Sequence, residues 1–334
     1  MATDSNSQRG TGVPNPTTDV PQGEGSSGKY AAKSVEQLTD DFVDRLQLLS
    51  EAGSFHVAGL KTGFPYLDEL TTGMHEGDLI VIAGPPSIGK TALSLNVVQH
   101  VMLEEDLPVL VFSMASSAPQ MYERVASLRT GIDLQRLRSG RLRDQDWVAL
   151  SDHLGRLAQA TLLIDDHPEL WIAELRRRAQ QYADSVGKLS LIVVDYVQLV
   201  RADRAAGDTR ANEVAEVMRG LKALARTLGC PVIALSQINR GVEMRVDKRP
   251  TLGDLRDSGS IAEEADVVLF LYRDEYYNKN TKQPGVAELI VGRQRNGPEG
   301  WVPLQFTAES GRFWGCTPEP PRISAVPSVR PADR

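Results

Sequence analysis

Gly84-Pro85-Pro86-Ser87-Ile88-Gly89-Lys90-Thr91 matches the pattern G-x-x-x-x-G-K-[ST], and its setting constrains the fold more than any other stretch. The apolar run Leu79-Ile80-Val81-Ile82-Ala83 before it predicts a buried strand, and Ala92 to Leu103 after it predicts a helix. A glycine-rich turn between strand and helix aims successive backbone N–H groups and a helix N-terminus at one point. That arrangement suits the phosphates of a nucleotide. Lys90 is then expected to reach the β- and γ-phosphates, and the Thr91 hydroxyl to bind Mg²⁺. Gly84, Ser87, Ile88 and Gly89 complete the expected cradle for ATP. Pro85 and Pro86 have no N–H, so its donors must come from Ser87 onward.

The pattern around this loop repeats along the chain. Apolar strand candidates are Leu79–Ala83, Val109–Phe112, Leu162–Ile164, Leu189–Val194, Val232–Leu235 and Val267–Leu271, with helical patterns between most of them. Short buried runs alternating with helices predict an α/β fold with a mostly parallel sheet covered on both faces. Ala287–Arg293 and Trp301–Phe306, joined by Asn296-Gly297-Pro298, predict a C-terminal β-hairpin.

A second nucleotide element is Leu191-Ile192-Val193-Val194-Asp195, an apolar strand ending in a carboxylate. This is the Walker B arrangement, in which Asp195 holds Mg²⁺ through its water shell. Gln198 follows at the strand tip, and Val232–Leu235 leads into Ser236-Gln237-Ile238-Asn239-Arg240. Polar residues at strand carboxyl ends face the ligand crevice of such sheets, which makes Gln237 a candidate γ-phosphate sensor.

The ends of the chain read differently. Residues 1–33 are rich in Ser, Gly, Pro, Thr and Asn and are expected to form a disordered tail, as is the Pro-rich stretch 317–334. Between the first tail and the core, residues 34–53 carry Val35, Leu38, Phe42, Leu46 and Leu49 at three- and four-residue steps. They predict an amphipathic linker helix, folded either on its own domain or on a neighbouring subunit. The core domain is expected over 54–316.

The net charge of −7 argues against a generally basic nucleic-acid coat protein and leaves room for a local basic channel. The two cysteines, Cys230 and Cys316, have no zinc spacing, and Cys230 reads as a buried inert thiol. No apolar run approaches the ~18 residues of a membrane span, and the N-terminus lacks a signal-like apolar segment. A soluble cytoplasmic protein with no membrane contact is expected.

Several stretches together resemble the replicative helicase DnaB family. They are Thr62-Gly63-Phe64-Pro65-Tyr66-Leu67-Asp68, the phosphate loop, Asp195-Tyr196-Val197-Gln198-Leu199 and Ala234-Leu235-Ser236-Gln237. Also among them are Asp247-Lys248-Arg249-Pro250, Asp254-Leu255-Arg256-Asp257-Ser258-Gly259-Ser260-Ile261 and Gln294-Arg295-Asn296-Gly297-Pro298. The resemblance runs from about Ser34 to Phe313 and covers that family's RecA-like motor domain, a P-loop NTPase fold.

The resemblance implies further roles. Arg124, on a helix opened by the capping-box sequence Ser117-Ala118-Pro119-Gln120, matches an arginine near the γ-phosphate. Gln237 matches the sensor that couples nucleotide state to the DNA loops. Arg295 matches an arginine finger supplied to the neighbouring subunit's nucleotide, and Arg293 stands where the family usually has Lys. Arg256, Asp257 and Gly259 match a pore loop that follows the backbone of single-stranded DNA. Lys248 and Arg249 read equally as a DNA contact or a solvated pair. A finger in trans implies a ring, either a homo-hexamer or a mixed ring with a complete helicase. The linker helix would then pack on the adjacent subunit.

The sequence departs from the family in two places. No N-terminal collar domain precedes the linker helix, so primase contact through such a domain is not expected. After the second strand, Phe112-Ser113-Met114-Ala115-Ser116-Ser117 carries Ala115 where the family has the glutamate that polarises the attacking water. A methyl group cannot do this, and losing such a base costs ~10²–10⁴ in rate. Glu123, Asp165 and Asp166 are candidates to substitute. Two functions therefore stay open: an active ring helicase, or an ATP-binding DNA clamp or partner subunit that hydrolyses poorly.

Overall fold

A computed structural model describes residues 32–51, 57–202, 209–255 and 259–315. The expected tails fall outside these residues, apart from Ala32 and Lys33 at the edge of the first, and so does Cys316. The described residues divide into two units, one holding 32–51 and the other the residues from Val57 onward.

In the first unit, helix α1 (Val35–Glu51) forms where the apolar three- and four-residue spacing predicts it. Ser34 and Gln37 open it: the Gln37 amide N–H donates to Ser34 Oγ (3.2 Å), and the Ser34 N–H donates to Gln37 Oε1 (2.9 Å). No residue of α1 is buried.

The second unit runs α2 (Pro65–Thr71), β1 (Leu79–Gly84), α3 (Lys90–Leu103), β2 (Val109–Ser113), α4 (Ala118–Thr130), α5 (Leu134–Ser139) and α6 (Asp144–Gln159). It continues with β3 (Leu162–Asp165), α7 (Ile172–Val186), β4 (Leu191–Asp195), α8 (Arg210–Leu228), β5 (Val232–Gln237), α9 (Gly259–Glu264) and β6 (Val267–Tyr272). It closes with α10 (Asp274–Tyr277), β7 (Val286–Gln294), β8 (Gly300–Thr307) and β9 (Arg312–Gly315). One sheet holds all of these strands in the order β3-β2-β4-β5-β1-β6-β7-β8-β9. The first six are parallel, and β7, β8 and β9 extend the sheet antiparallel.

The apolar runs are continuous because both faces of the sheet are covered. Within β1, Val81 joins the core formed with Leu175 of α7 and with Val217 and Leu221 of α8. Its neighbours Ile80 and Ile82 point the other way, into the core formed with Val98 and Val101 of α3 and Val125 of α4. The predicted hairpin appears as β7–β8, and β9 adds a strand that no sequence pattern announced. The strand expected from Leu189 begins at Leu191, with the Ser190 N–H donating to the Pro108 carbonyl just before β2 (2.9 Å). Cys230 is buried, as expected.

The stretch Thr62 to Asp68 serves the fold. The buried Asp68 carboxylate accepts from the Thr62 N–H (2.8 Å) and hydroxyl (2.7 Å), which locks the turn that opens α2. Burial pushes this carboxyl above its ordinary range, opposed by the Thr62 hydrogen bonds. Gly63 sits at φ 87°, and a Cβ there would meet the His100 ring at 2.7 Å.

Candidate functional site

The phosphate-loop pattern folds as its chemistry requires. β1 ends at Gly84 and α3 begins at Lys90, with Ser87 (φ 60°) and Gly89 (φ 116°) in left-handed conformations between them. At Gly84 an added Cβ would lie 3.0 Å from Ile88 Cγ2 and 3.2 Å from the Leu271 carbonyl, so the tight loop excludes a side chain there. The Lys90 ammonium donates to the Gly84 (2.9 Å) and Pro85 (2.8 Å) carbonyls, bending over the loop it would otherwise offer to a phosphate. Burial lowers its pKa to about 8, against the opposing pull of the Asp195 charge.

Asp195 ends β4 two strands away, yet its Oδ2 accepts the Thr91 hydroxyl at 2.7 Å. Burial raises the Asp195 pKa, while the Thr91 hydrogen bond and then the charges of Lys90 and Arg124 lower it. Arg124 on α4 thus lies near enough for its charge to act on the same carboxylate. The capping box predicted for α4 is present, and the Ser117 N–H donates to Gln120 Oε1 (3.1 Å). A hydroxyl and a carboxylate in contact beside a half-buried ammonium are a suitable donor set for an Mg²⁺–triphosphate pair. Among the described residues no cluster of three or more His, Cys, Asp or Glu side chains could hold a metal independently.

Gln237 ends β5 in register with Gly84, so its side chain belongs to the loop's edge of the sheet. Gln198 fastens it: Gln198 Nε2 donates to Ser236 Oγ (3.0 Å), and the Gln237 N–H donates to Gln198 Oε1 (3.3 Å). Pro86, Gln237, Ile238, Asn239 and Arg240 line an open cleft here. Ile238 pairs with Leu255 in an antiparallel bridge, and Gly259 opens α9. Arg256 and Asp257, the other expected DNA residues, lie outside the described residues. Arg249 is committed elsewhere: it grips Glu288 through two bonds (2.7 and 2.6 Å) and stacks on the Tyr272 ring. Lys248 sits 5.1 Å above the centre of the Tyr277 ring.

Two expected residues are not brought to the loop. Arg293 and Arg295 lie at the end of β7 that pairs with the start of β6, because β7 runs antiparallel. The Arg295 N–H donates to the Asp266 carbonyl (2.8 Å), and Asp266 Oδ2 in turn accepts the N–H of Leu79, the first residue of β1 (2.8 Å). The phosphate loop starts at the other end of β1. At about 3.3 Å per residue the two ends are roughly 17 Å apart, beyond the reach of one side chain.

The candidate bases each have another partner. Glu123 pairs with Arg138 (3.3 Å). Asp165 is buried and bonded to Arg178 (3.1 Å) and Tyr182 (3.2 Å). Asp166 accepts the Ala118 N–H (2.7 Å) at the start of α4. Ala115 itself is exposed.

Sequence reasoning missed Arg273. It follows β6, stacks on the Phe306 ring at 3.9 Å and donates through Nη1 to the Ile88 carbonyl of the phosphate loop (3.2 Å). The strand-end rule that singled out Gln237 applies equally to Arg273 and would have found it.

Comparison with known proteins agrees with this geometry. The family model described as "DnaB-like helicase C terminal domain" matches residues 59–314. The chain is 41% identical over 283 residues to the replicative DNA helicase DnaB of Geobacillus stearothermophilus, covering 85% of this chain and 62% of that protein. It is 47% identical over 284 residues to the DnaB of Pasteurella multocida, covering 84% of this chain and 61% of that protein. The chain thus spans about three fifths of the length of these curated relatives. A solved ATPase domain superposes with a TM-score of 0.78 at 32% identity, covering 83% of this chain and 98% of that one. A DnaB-like replicative helicase, solved with its interactions with primase as a subject, gives 0.77 at 31%, covering 86% of this chain and 68% of that one. With a RecA-type sheet, a formed phosphate loop and Asp195 against Thr91, the chain belongs to the DnaB-like helicase C-terminal domain family.

Proposed function

We propose that this chain is an ATP-dependent DNA helicase motor that binds ATP and Mg²⁺ between subunits of a ring and translocates on single-stranded DNA. The observation that carries the reading is the Thr91–Asp195 contact at 2.7 Å beside Lys90. Thr91 and Asp195 would hold Mg²⁺, which when bound supplies charge neutralisation on the phosphate oxygens. Lys90 would leave the Gly84 and Pro85 carbonyls for the more anionic β- and γ-phosphates. Arg124 adds positive charge on the Asp195 side, and Gln237, clamped by Gln198, stands where a change at the γ-phosphate can pass to Ile238 and Leu255. Arg256, Asp257 and Gly259 then contact DNA.

Arg295 sits too far from its own loop to serve it, which supports a finger given to the neighbouring subunit, with Arg293 beside it. A homo-hexamer or a mixed ring with a complete helicase satisfies this geometry. Among the described residues no helix is long and apolar enough to cross a membrane. The reading implies a cytoplasmic location, where such a motor meets DNA.

A second reading is favoured by one specific observation. Ala115 supplies no base, and Glu123, Asp165 and Asp166 are each engaged elsewhere. The chain would then be an ATP-binding DNA clamp or a partner subunit that hydrolyses poorly. Steady-state ATPase measurements with and without single-stranded DNA distinguish the two, with Lys90→Ala as the control. DNA-stimulated turnover of ~1–10³ s⁻¹ establishes the motor and removes the clamp. Turnover no higher than the control, with ATP still bound, removes the motor.

A further inference from the structure

The carboxylate that precedes β6 also seats the distant arginine. Asp266 is buried and held from two sides: its Oδ2 accepts the Leu79 N–H (2.8 Å) and the Lys222 ammonium. Lys222 donates as well to the Gly77 carbonyl (2.7 Å), so the ammonium is fixed in turn. Against this anchor lies Arg295. Its Nε stands 3.5 Å from Asp266 Oδ1, and its Nη2 donates to the Glu263 carbonyl at the end of α9 (3.1 Å). The side chain nevertheless stays 47% exposed. One edge of the guanidinium is thus held by fixed acceptors while the rest stays accessible.

A surface arginine samples many rotamers, and freezing them opposes its binding to a phosphate. A guanidinium already held along one edge loses less on binding. Resting on the reading of Arg295 as a finger, we propose that Asp266 is its positioning residue, fixing the direction in which Arg295 meets the neighbouring subunit's γ-phosphate. The seat is tied to the first residue of β1, and the phosphate loop to the last. One strand therefore carries a subunit's own nucleotide loop at one end and the mount of its finger at the other.

The test uses the full chain and two fluorescent probes, mant-ADP and mant-ATPγS, so that its result does not depend on hydrolysis. Arg295→Ala should reduce the preference for mant-ATPγS over mant-ADP, because only the former has a γ-phosphate. Asp266→Asn, which keeps the shape and removes the charge, should reduce that preference by ~10-fold and leave the mant-ADP affinity within about 2-fold. Mixing Asp266→Asn with Lys90→Ala should restore a class of sites with the original preference. Those sites pair an intact loop from one variant with an intact finger seat from the other.

If Arg295→Ala leaves the preference unchanged, the finger reading fails and the proposal with it. If Arg295→Ala loses the preference and Asp266→Asn keeps it, the finger stands and the positioning role is overturned. If Asp266→Asn weakens mant-ADP as much as mant-ATPγS, or if mixing restores nothing, Asp266 merely supports β1 and the proposal is likewise overturned. Should Asp266→Asn not fold, Lys222→Met removes the anchor from the other side and is judged by the same outcomes.

Discussion

On the proposed reading, Ala115 is the side chain on which the choice between motor and clamp turns. It follows Met114, whose N–H donates to the Asp195 carbonyl (3.1 Å), and it lies just past Ser113, the register partner of Asp195. The position is therefore at the mouth of the site and exposed, with room for a longer side chain. Ala115→Glu is expected to raise turnover by ~10²–10⁴ if only the base is missing, as read by the DNA-stimulated ATPase rate. An unchanged rate with intact ATP binding would locate the defect elsewhere. The three carboxylates considered as substitutes were legible as acids in the sequence. Their commitments to Arg138, to Arg178 and Tyr182, and to the Ala118 N–H were not, because those partners come from separate parts of the chain. Thr62 and Asp68 were legible as part of a family pattern, and the structure gives them a turn-locking role.

At the scale of elements, the helices that cover the sheet are set by close contacts that periodicity does not reveal. α7 and α8 meet at Gly220, where an added Cβ would fall 2.2 Å from Ile172 Cγ1 and 2.9 Å from its Cδ1. Gly220→Ala should destabilise the chain by ~1–3 kcal/mol through overpacking, read as a lower urea midpoint. Ile172→Ala in the same chain should recover part of that loss, so the two changes are non-additive. β9 illustrates the opposite limit. Arg312-Phe313-Trp314-Gly315 is too short for a periodic signal, and its place depends on Asn96 of α3. The Asn96 side chain donates to the Gly311 carbonyl (3.1 Å) and accepts the Phe313 N–H (3.1 Å), which brings the Phe313 ring against Gly89 of the phosphate loop. The parallel strands β1, β2, β4, β5 and β6 were legible because burial on both faces leaves an unbroken apolar run.

For the whole molecule, the proposed ring makes two demands. α1 buries none of its residues and exposes Val35, Leu38, Phe42 and Leu46, so the docking reading assigns its apolar face to a neighbouring copy. Phe42→Asp should then lower the oligomeric state in sedimentation velocity while leaving the thermal transition of the motor in place. Unchanged assembly would reject the docking role. On the DNA side, Arg256→Ala should weaken single-strand binding for all sequences and flatten the log–log salt dependence by ~0.7 per lost phosphate contact. An unchanged slope would remove Arg256 from the interface. The sequence by itself determined the phosphate loop, the buried strands and the α4 capping box, because each depends on neighbours within a few residues. Only the tertiary structure decided that Asp195 meets Thr91 across 104 residues, that Arg273 reaches the loop, and that Arg295 stands at the far end of β1 on Asp266. Those contacts follow from strand order and strand direction, which are set when the whole sheet assembles.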